Sequence, residues 1–247
     1  MRNKIDIEEV ITYSYCPMLY KYIYIDKKVD KKTTIQREFE YSFKKTVFGF
    51  LASCADNDTT FNSIKIIWGR IWIKKKKTIE YIYSDPKSWR NTHNEFRKTG
   101  ISTLKSFYDY FVLTSMFPIL FNKKYNVNVG NITLTGRFDV ICEIDKQIKI
   151  LSIKANSKKA DYLVISKDMN VTAMSYAFNE IFNIKEDCIL IFNSQKGNVT
   201  ETTRDEKEYT QLKNTVTSVY KCIHNNIFYM CVDDRCNHCS CKKICSK

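Results

Sequence analysis

Glycine and proline are scarce in this chain, 6 and 3 of its 247 residues, so no stretch reads as a long flexible linker. No apolar run reaches the roughly 18 residues that a membrane span needs. The opening stretch MRNKIDIEEVITYSYC has no apolar signal core either. The expected setting is therefore cytoplasmic, reducing and away from any membrane. There is no internal repeat, and the only biased tract is Lys74 to Lys77, which reads as a solvated loop. Acidic residues are also in short supply, 27 against 40 Lys plus Arg, for a formal charge of +13.

What is present is material for a core. Hydrophobic residues make up 44% and aromatics 14%, a globular composition, and we expect one compact domain over residues 1–247. The cationic excess favours a polyanionic partner, bound through phosphate neutralisation and counterion release. A lysine-rich solvated surface, as an AT-rich genome would encode, accounts for the same charge without a ligand.

Periodicity gives a coarse order of elements. IDIEEVITYSYCPMLYKYIYI reads as a helix entry followed by an aromatic segment, with Pro17 at a turn or helix start. TTIQREFEYSFKKTVFGFLASCA places Phe39, Phe43, Val47, Phe50 and Leu51 at helical spacing. SIKIIWGRIWIKKKKTIEYIY fits helix or strand. THNEFRKTGISTLKSFYDYFVLTSMF reads as a long helix with Gly100 as a point of breakage. NITLTGRFDVICEID and IKILSIKAN alternate as a hairpin, with KQ at the turn. A helix (VTAMSYAFNEIFN), a buried strand (DCILIFNS) and a further helix lead into the tail. This order predicts an α/β fold, a mixed central sheet flanked by helices.

Ten cysteines in a reducing compartment point away from disulfides and toward metal. Cys236, Cys239 and Cys245 stand as C-x2-C-x5-C in the last dozen residues. Three thiolates complete neither a tetrahedral zinc site nor a four-iron cluster, so a fourth ligand is required. Cys241, Cys231 and His238 are local candidates and Cys16 is a distant one. The tail alone suits zinc about as well as iron and sulfur.

CPMLYKY near the start, then TLTGRFDVICEID, IKILSIKA, TAMSYAF and the C-x2-C-x5-C tail together resemble the iron–sulfur branch of the PD-(D/E)XK nuclease superfamily. Its members include the nuclease domain of AddB and the CRISPR-associated RecB-like exonucleases. The resemblance implies a nuclease-like core over about 92–222, with cluster-binding segments at 12–24 and 230–247. It implies a 4Fe-4S cluster held by Cys16, Cys236, Cys239 and Cys245, stapling the chain ends together. Closing so long a loop restricts the unfolded chain strongly. Cys241 and Cys231 fall outside that pattern.

The family's chemistry is phosphodiester hydrolysis with Mg or Mn, which takes hard oxygen ligands. Carried over by resemblance, the first acid is Asp139, the metal ligand, and the lysine is Lys154. Ser152 stands where the second acid belongs, and a neutral hydroxyl is a poor ligand for magnesium. EYSFKKTVF offers Phe43 and Lys44 where relatives often carry a histidine. TAMSY keeps Tyr176 but has Thr172 at the glutamine position. Glu143 and Asp145 share the strand face of Asp139 by the period of two, yet Glu143 is about 13 Å along the strand. Asp161 and Asp168 lie in a following loop.

Three functions fit. The first is a DNA-binding iron–sulfur protein with weak or lost catalysis, acting with protein partners in a replication, recombination or transcription assembly. The second is an active Mg- or Mn-dependent DNA exonuclease with a displaced carboxylate. The third is a structural subunit, which leaves the charge unexplained.

Overall fold

The computed structural model describes residues 3–28, 34–54, 59–82, 85–154, 168–234, 236, 239 and 241–245, without the side chains of Tyr81 and Lys243. The chain starts with a short strand β1 (Lys4–Asp6) that runs into α1 (Ile7–Tyr15). Asp6 and Glu9 close a capping box there, which satisfies two otherwise orphaned amides. Pro17 opens α2 (Pro17–Tyr20), where its missing N–H is harmless, and a π-helical turn (Lys21–Ile25) follows.

A helical layer comes next: α3 (Ile35–Ser53), α4 (Phe61–Ile73), α5 (Lys76–Ile82) and α6 (Pro86–Leu113). The stretch that fitted helix or strand is thus two helices, α4 and α5. Its Trp68 and Trp72 are buried and stacked at 5.1 Å. Gly100 does not break α6. A Cβ there would lie 2.2 Å from the Trp68 ring, so the glycine makes room for the indole within an unbroken helix.

The sheet consists of β2 (Phe117–Val129), β3 (Ile132–Ile144), β4 (Gln147–Lys154), β5 (Cys188–Asn193) and β6 (Val199–Thr202), with β1 joined to β3. β2 to β3 and β3 to β4 are antiparallel, β4 to β5 is parallel and β5 to β6 antiparallel. The expected mixed sheet flanked by helices is therefore present. The hairpin turn is Asp145-Lys146, one residue before the KQ that the pattern indicated. Both have positive φ, 53° and 63°, as the tight hairpin turn that matches strand twist requires. Gln147 already pairs with Ile144.

Two cores lie against this sheet. One joins α1 to α7 (Met169–Phe182) and α8 (Glu206–His224), around Val10, Tyr125, Met174 and Leu212. The other joins α3 to α6, around Phe39, Phe43, Trp68, Phe107 and Phe192. The tail ends in α9 (Lys242–Cys245). Among the described residues, no helix is long and apolar enough to cross a membrane.

Candidate functional site

The strand β3 has β2 along one edge for its whole length, but it changes partner on the other edge. Thr133–Thr135 pair with β1, whereas Val140–Ile144 pair with β4. Residues 136–139 lie between, at a fork in the sheet, and Asp139 sits at its inner end. Phe138 packs in one core and Val140 in the other, so the alternation of faces is interrupted at Asp139. On β2, Asn122 lies between the pairs Phe121–Val140 and Lys123–Phe138 and has φ of +52°. Arg137 donates to the carbonyl and side-chain oxygens of Asn122, at 2.6 and 2.8 Å.

Asp139 is buried, and its Oδ2 does two things. It accepts the Ile153 amide at 2.9 Å, continuing the β3–β4 ladder through a side chain. It also pairs with the Lys44 ammonium at 3.0 Å. Lys44 reaches in from α3 and pairs at 3.2 Å with Glu40, one helical turn earlier. Burial alone would push the Lys44 pKa down, but Asp139 and then Glu40 outweigh it and hold the ammonium well above the ordinary lysine value. Ser152 is fully buried, and its Oγ has no hydrogen-bond partner among the described residues. A buried orphan hydroxyl costs about 1–3 kcal/mol.

Among the described residues, Lys154 and Asp139 do not share a partner. The Lys154 ammonium pairs at 3.3 Å with Asp168, which also caps α7 by accepting the Asn170 and Val171 amides. Thr172 donates to the Asp168 carbonyl and accepts from the buried guanidinium of Arg204. Tyr176 donates to the Asn128 carbonyl at 2.9 Å, six residues along β2 from Asn122. Burial, then Glu180, pushes its pKa up to about 12. Glu143 is exposed and Asp145 lies in the hairpin turn, so neither approaches Asp139. Asp161 and His238 lie outside the described residues.

This donor set does not fit a magnesium ion. The one strand carboxylate is tied to an amide and an ammonium, and the second position offers a neutral hydroxyl. The i,i+4 spacing of Glu40 and Lys44 on an amphipathic helix is a sequence signal for the pair, but it does not point the ammonium at Asp139.

The fork opens into a cleft of about 740 Å³ lined by β1, β2, β3, α3 and the starts of α1 and α7. Lys4, Lys44, Lys45, Lys124 and Arg137 face Asp6, Glu8 and Asp139 there, with Tyr41, Phe48 and Tyr125 between them. Cations outnumber acids, and aromatic surface alternates with charge. Gly136 is needed at this wall, since a Cβ would lie 2.2 Å from the Tyr125 hydroxyl.

Residues 13–20 and 227–229 meet beside α1. Tyr13 donates to the Ile227 carbonyl at 2.6 Å, the Met18 amide to the Tyr229 carbonyl, and Tyr20 stacks on Phe228. These contacts bring Cys16, Cys236, Cys239 and Cys245 to the wall of one cavity of about 50 Å³, together with Cys231 and Cys241. Burial pushes the Cys245 thiol up, and Cys16, Cys239 and Cys236 push it further. The Cys241 amide donates to the Cys239 sulfur at 3.4 Å, and the Cys236 thiol to the Cys231 carbonyl. Among the described residues, no three Cys, His, Asp or Glu side chains stand at metal-binding spacing. The cavity wall gathers six thiols from the two segments, soft donors of the kind that a thiophilic centre takes.

Comparison with known proteins bears on the fold. A family model described as the PD-(D/E)XK nuclease superfamily matches residues 70–246, which include the β3–β4 hairpin and the cysteine tail but not α3 or Cys16. The crystal structure of a protein named "Putative exonuclease", from Eubacterium rectale, has a TM-score of 0.56 at 10% identity. The match covers 96% of this chain and 88% of that one, and at such identity it shows the fold alone. A crystal structure of SSO0001 has a TM-score of 0.41 at 11% identity, covering 99% of this chain and 86% of that one, and carries no argument. No curated protein sequence matches the chain.

Proposed function

Because the chain belongs to the PD-(D/E)XK nuclease superfamily, we propose that it binds DNA through the cleft at the sheet fork while cleaving it weakly or not at all. The observation that carries this reading is the trio at the fork: Asp139 holds the Lys44 ammonium, and Ser152 replaces the second acid. With Lys44 seated on Asp139 and no second carboxylate on the strand, a divalent ion has no cage in which to polarise a phosphate and lower the pKa of water. Lys4, Lys45, Lys124 and Arg137 supply phosphate contacts, and Tyr41 and Phe48 offer surfaces on which a base can stack.

The cysteine cavity belongs to the same reading. Cys16, Cys236, Cys239 and Cys245 are the ligands we assign to a 4Fe-4S cluster, which would lock the two chain ends already joined by Tyr13 and Tyr20. The cluster's part is structural, and the DNA-binding cleft lies elsewhere on the fold.

Salt dependence of DNA binding tests the proposal. With four cleft cations outside the trio, the slope of log K against log salt should be about −3 to −4 on duplex DNA. Lys124→Ala should reduce its magnitude by about 1. No binding at low salt would refute the reading and favour a structural subunit. A second reading, an active nuclease, draws on Glu40: if Lys44 moved aside, Glu40 and Asp139 would face one another across its place.

A further inference from the structure

We infer that the Lys44 ammonium is the resident cation of this site, standing between a helix carboxylate and a strand carboxylate where a divalent ion would otherwise be held. The inference deepens the binding reading and rests on it for the role of the cleft. Asp139 and Glu40 come from different elements and share no hydrogen bond, yet one ammonium reaches both, at 3.0 and 3.2 Å. A lysine ammonium is a compact point charge with three donors. Two of them are engaged by the carboxylates. The side chain of Lys44 is 20% exposed and lines the cleft.

Charge explains why this arrangement excludes a metal. Two carboxylates sharing a divalent ion are neutralised in full, whereas the same two with Lys44 retain one negative charge. A metal could enter only by displacing an ammonium that both acids hold, against the stability of two existing ion pairs. Oδ2 of Asp139 is further committed to the Ile153 amide. Counted over Glu40, Lys44 and Asp139 alone the charge is negative, which makes these three side chains a poor seat for a phosphate. Phosphates belong on the flanking Lys45, Lys124 and Arg137, while Lys44 cancels part of the repulsion that two bare acids would exert on them. The cleft should therefore take a phosphate backbone with no divalent ion present, unlike a site whose metal bridges protein and substrate.

Manganese binding followed by electron paramagnetic resonance, without DNA, tests this directly. Native protein should show no Mn2+ that Asp139→Asn removes. Lys44→Met should gain one Mn2+ per chain, at least about tenfold tighter than any native site, and the double variant Lys44→Met with Asp139→Asn should lose it. Lys44→Gln serves the same comparison if the methionine variant does not fold. The inference is overturned if native protein binds one Mn2+ that Asp139→Asn abolishes, or if folded Lys44 variants gain none. A separate arm measures DNA affinity of native protein in EDTA and in Mn2+ at equal ionic strength, where equal affinities are expected. Affinity that appears only with Mn2+ also overturns it. Absence of DNA binding in both would sink the binding reading while the manganese titration still decides the role of Lys44.

Discussion

Removing the Asp139 carboxylate should destabilise this protein, which is the reverse of what removing a metal ligand from a vacant nuclease site would do. In a site of clustered acids awaiting a metal, like charges repel, and loss of one commonly stabilises the fold. Here Asp139 makes two charge-assisted hydrogen bonds through one oxygen, to the Ile153 amide and to Lys44. Hydrogen bonds to charged groups contribute about 1.5–3 kcal/mol each. Breaking a fully buried ion pair costs about 3–5 kcal/mol. Lys44 is 20% exposed and keeps Glu40, so its share lies below that range. Asp139→Asn can still accept from the Ile153 amide and loses mainly the ion pair, about 1.5–3 kcal/mol. Asp139→Ala also leaves that amide without an acceptor, for a total of about 3–5 kcal/mol. Urea denaturation followed by circular dichroism measures both. A cycle with Lys44→Met should give a coupling of at least about 1 kcal/mol. Asp139→Ala costing less than about 1 kcal/mol, or raising stability, would refute the ion pair as described.

Two further outcomes are expected. Protein purified without oxygen should contain iron and sulfide and absorb broadly in the visible. Cys16→Ser should lose both, and Cys241→Ser should keep them; zinc without iron, or the opposite pattern in the two variants, would defeat the ligand assignment. At alkaline pH the fold should fail with its tyrosines. Burial pushes Tyr110, Tyr176 and Tyr209 up to about 12. A folded pKa above the unfolded value of about 10 means stability complete below pH 10 and lost as pH rises toward 12. Phenolate absorbance should then rise in two stages, the second coinciding with unfolding. A single step near pH 10, with all 16 tyrosines ionising in an intact fold, would contradict this.

Periodicity marked the long helices because their buried faces are continuous: Phe39, Phe43, Val47 and Phe50 on α3 form one such stripe. The β3–β4 hairpin was legible for the same reason at a period of two. β2 was not, because Pro118, Asn122, Lys123, Lys124, Asn126 and Asn128 interrupt its apolar residues and much of it is exposed. β1, of three residues, and β6, of four, are too short to leave a pattern. Gly100 carries the local signature of a break, whereas its reason is tertiary, the Trp68 ring packed on it. At the fork, Asp139, Lys154 and the anomaly at Ser152 were visible from resemblance alone. Their partners were not. Lys44 meets Asp139 and Asp168 meets Lys154 only because α3 and α7 lie beside the hairpin, which no local spacing states. The absence of a histidine from α3 is legible in EYSFKKTVF, while the ammonium in that region has no sequence signal as a replacement for a metal.

Cleavage of end-labelled single- and double-stranded DNA, by native protein and Asp139→Ala side by side in Mg2+ and in Mn2+, tests the central claim most directly. The fork as built, with Lys44 on Asp139 and Ser152 in place of an acid, predicts that native protein retards both DNAs in EDTA and yields no products beyond those of Asp139→Ala. Robust metal-dependent cleavage by native protein that Asp139→Ala abolishes would contradict it and make this chain an active nuclease.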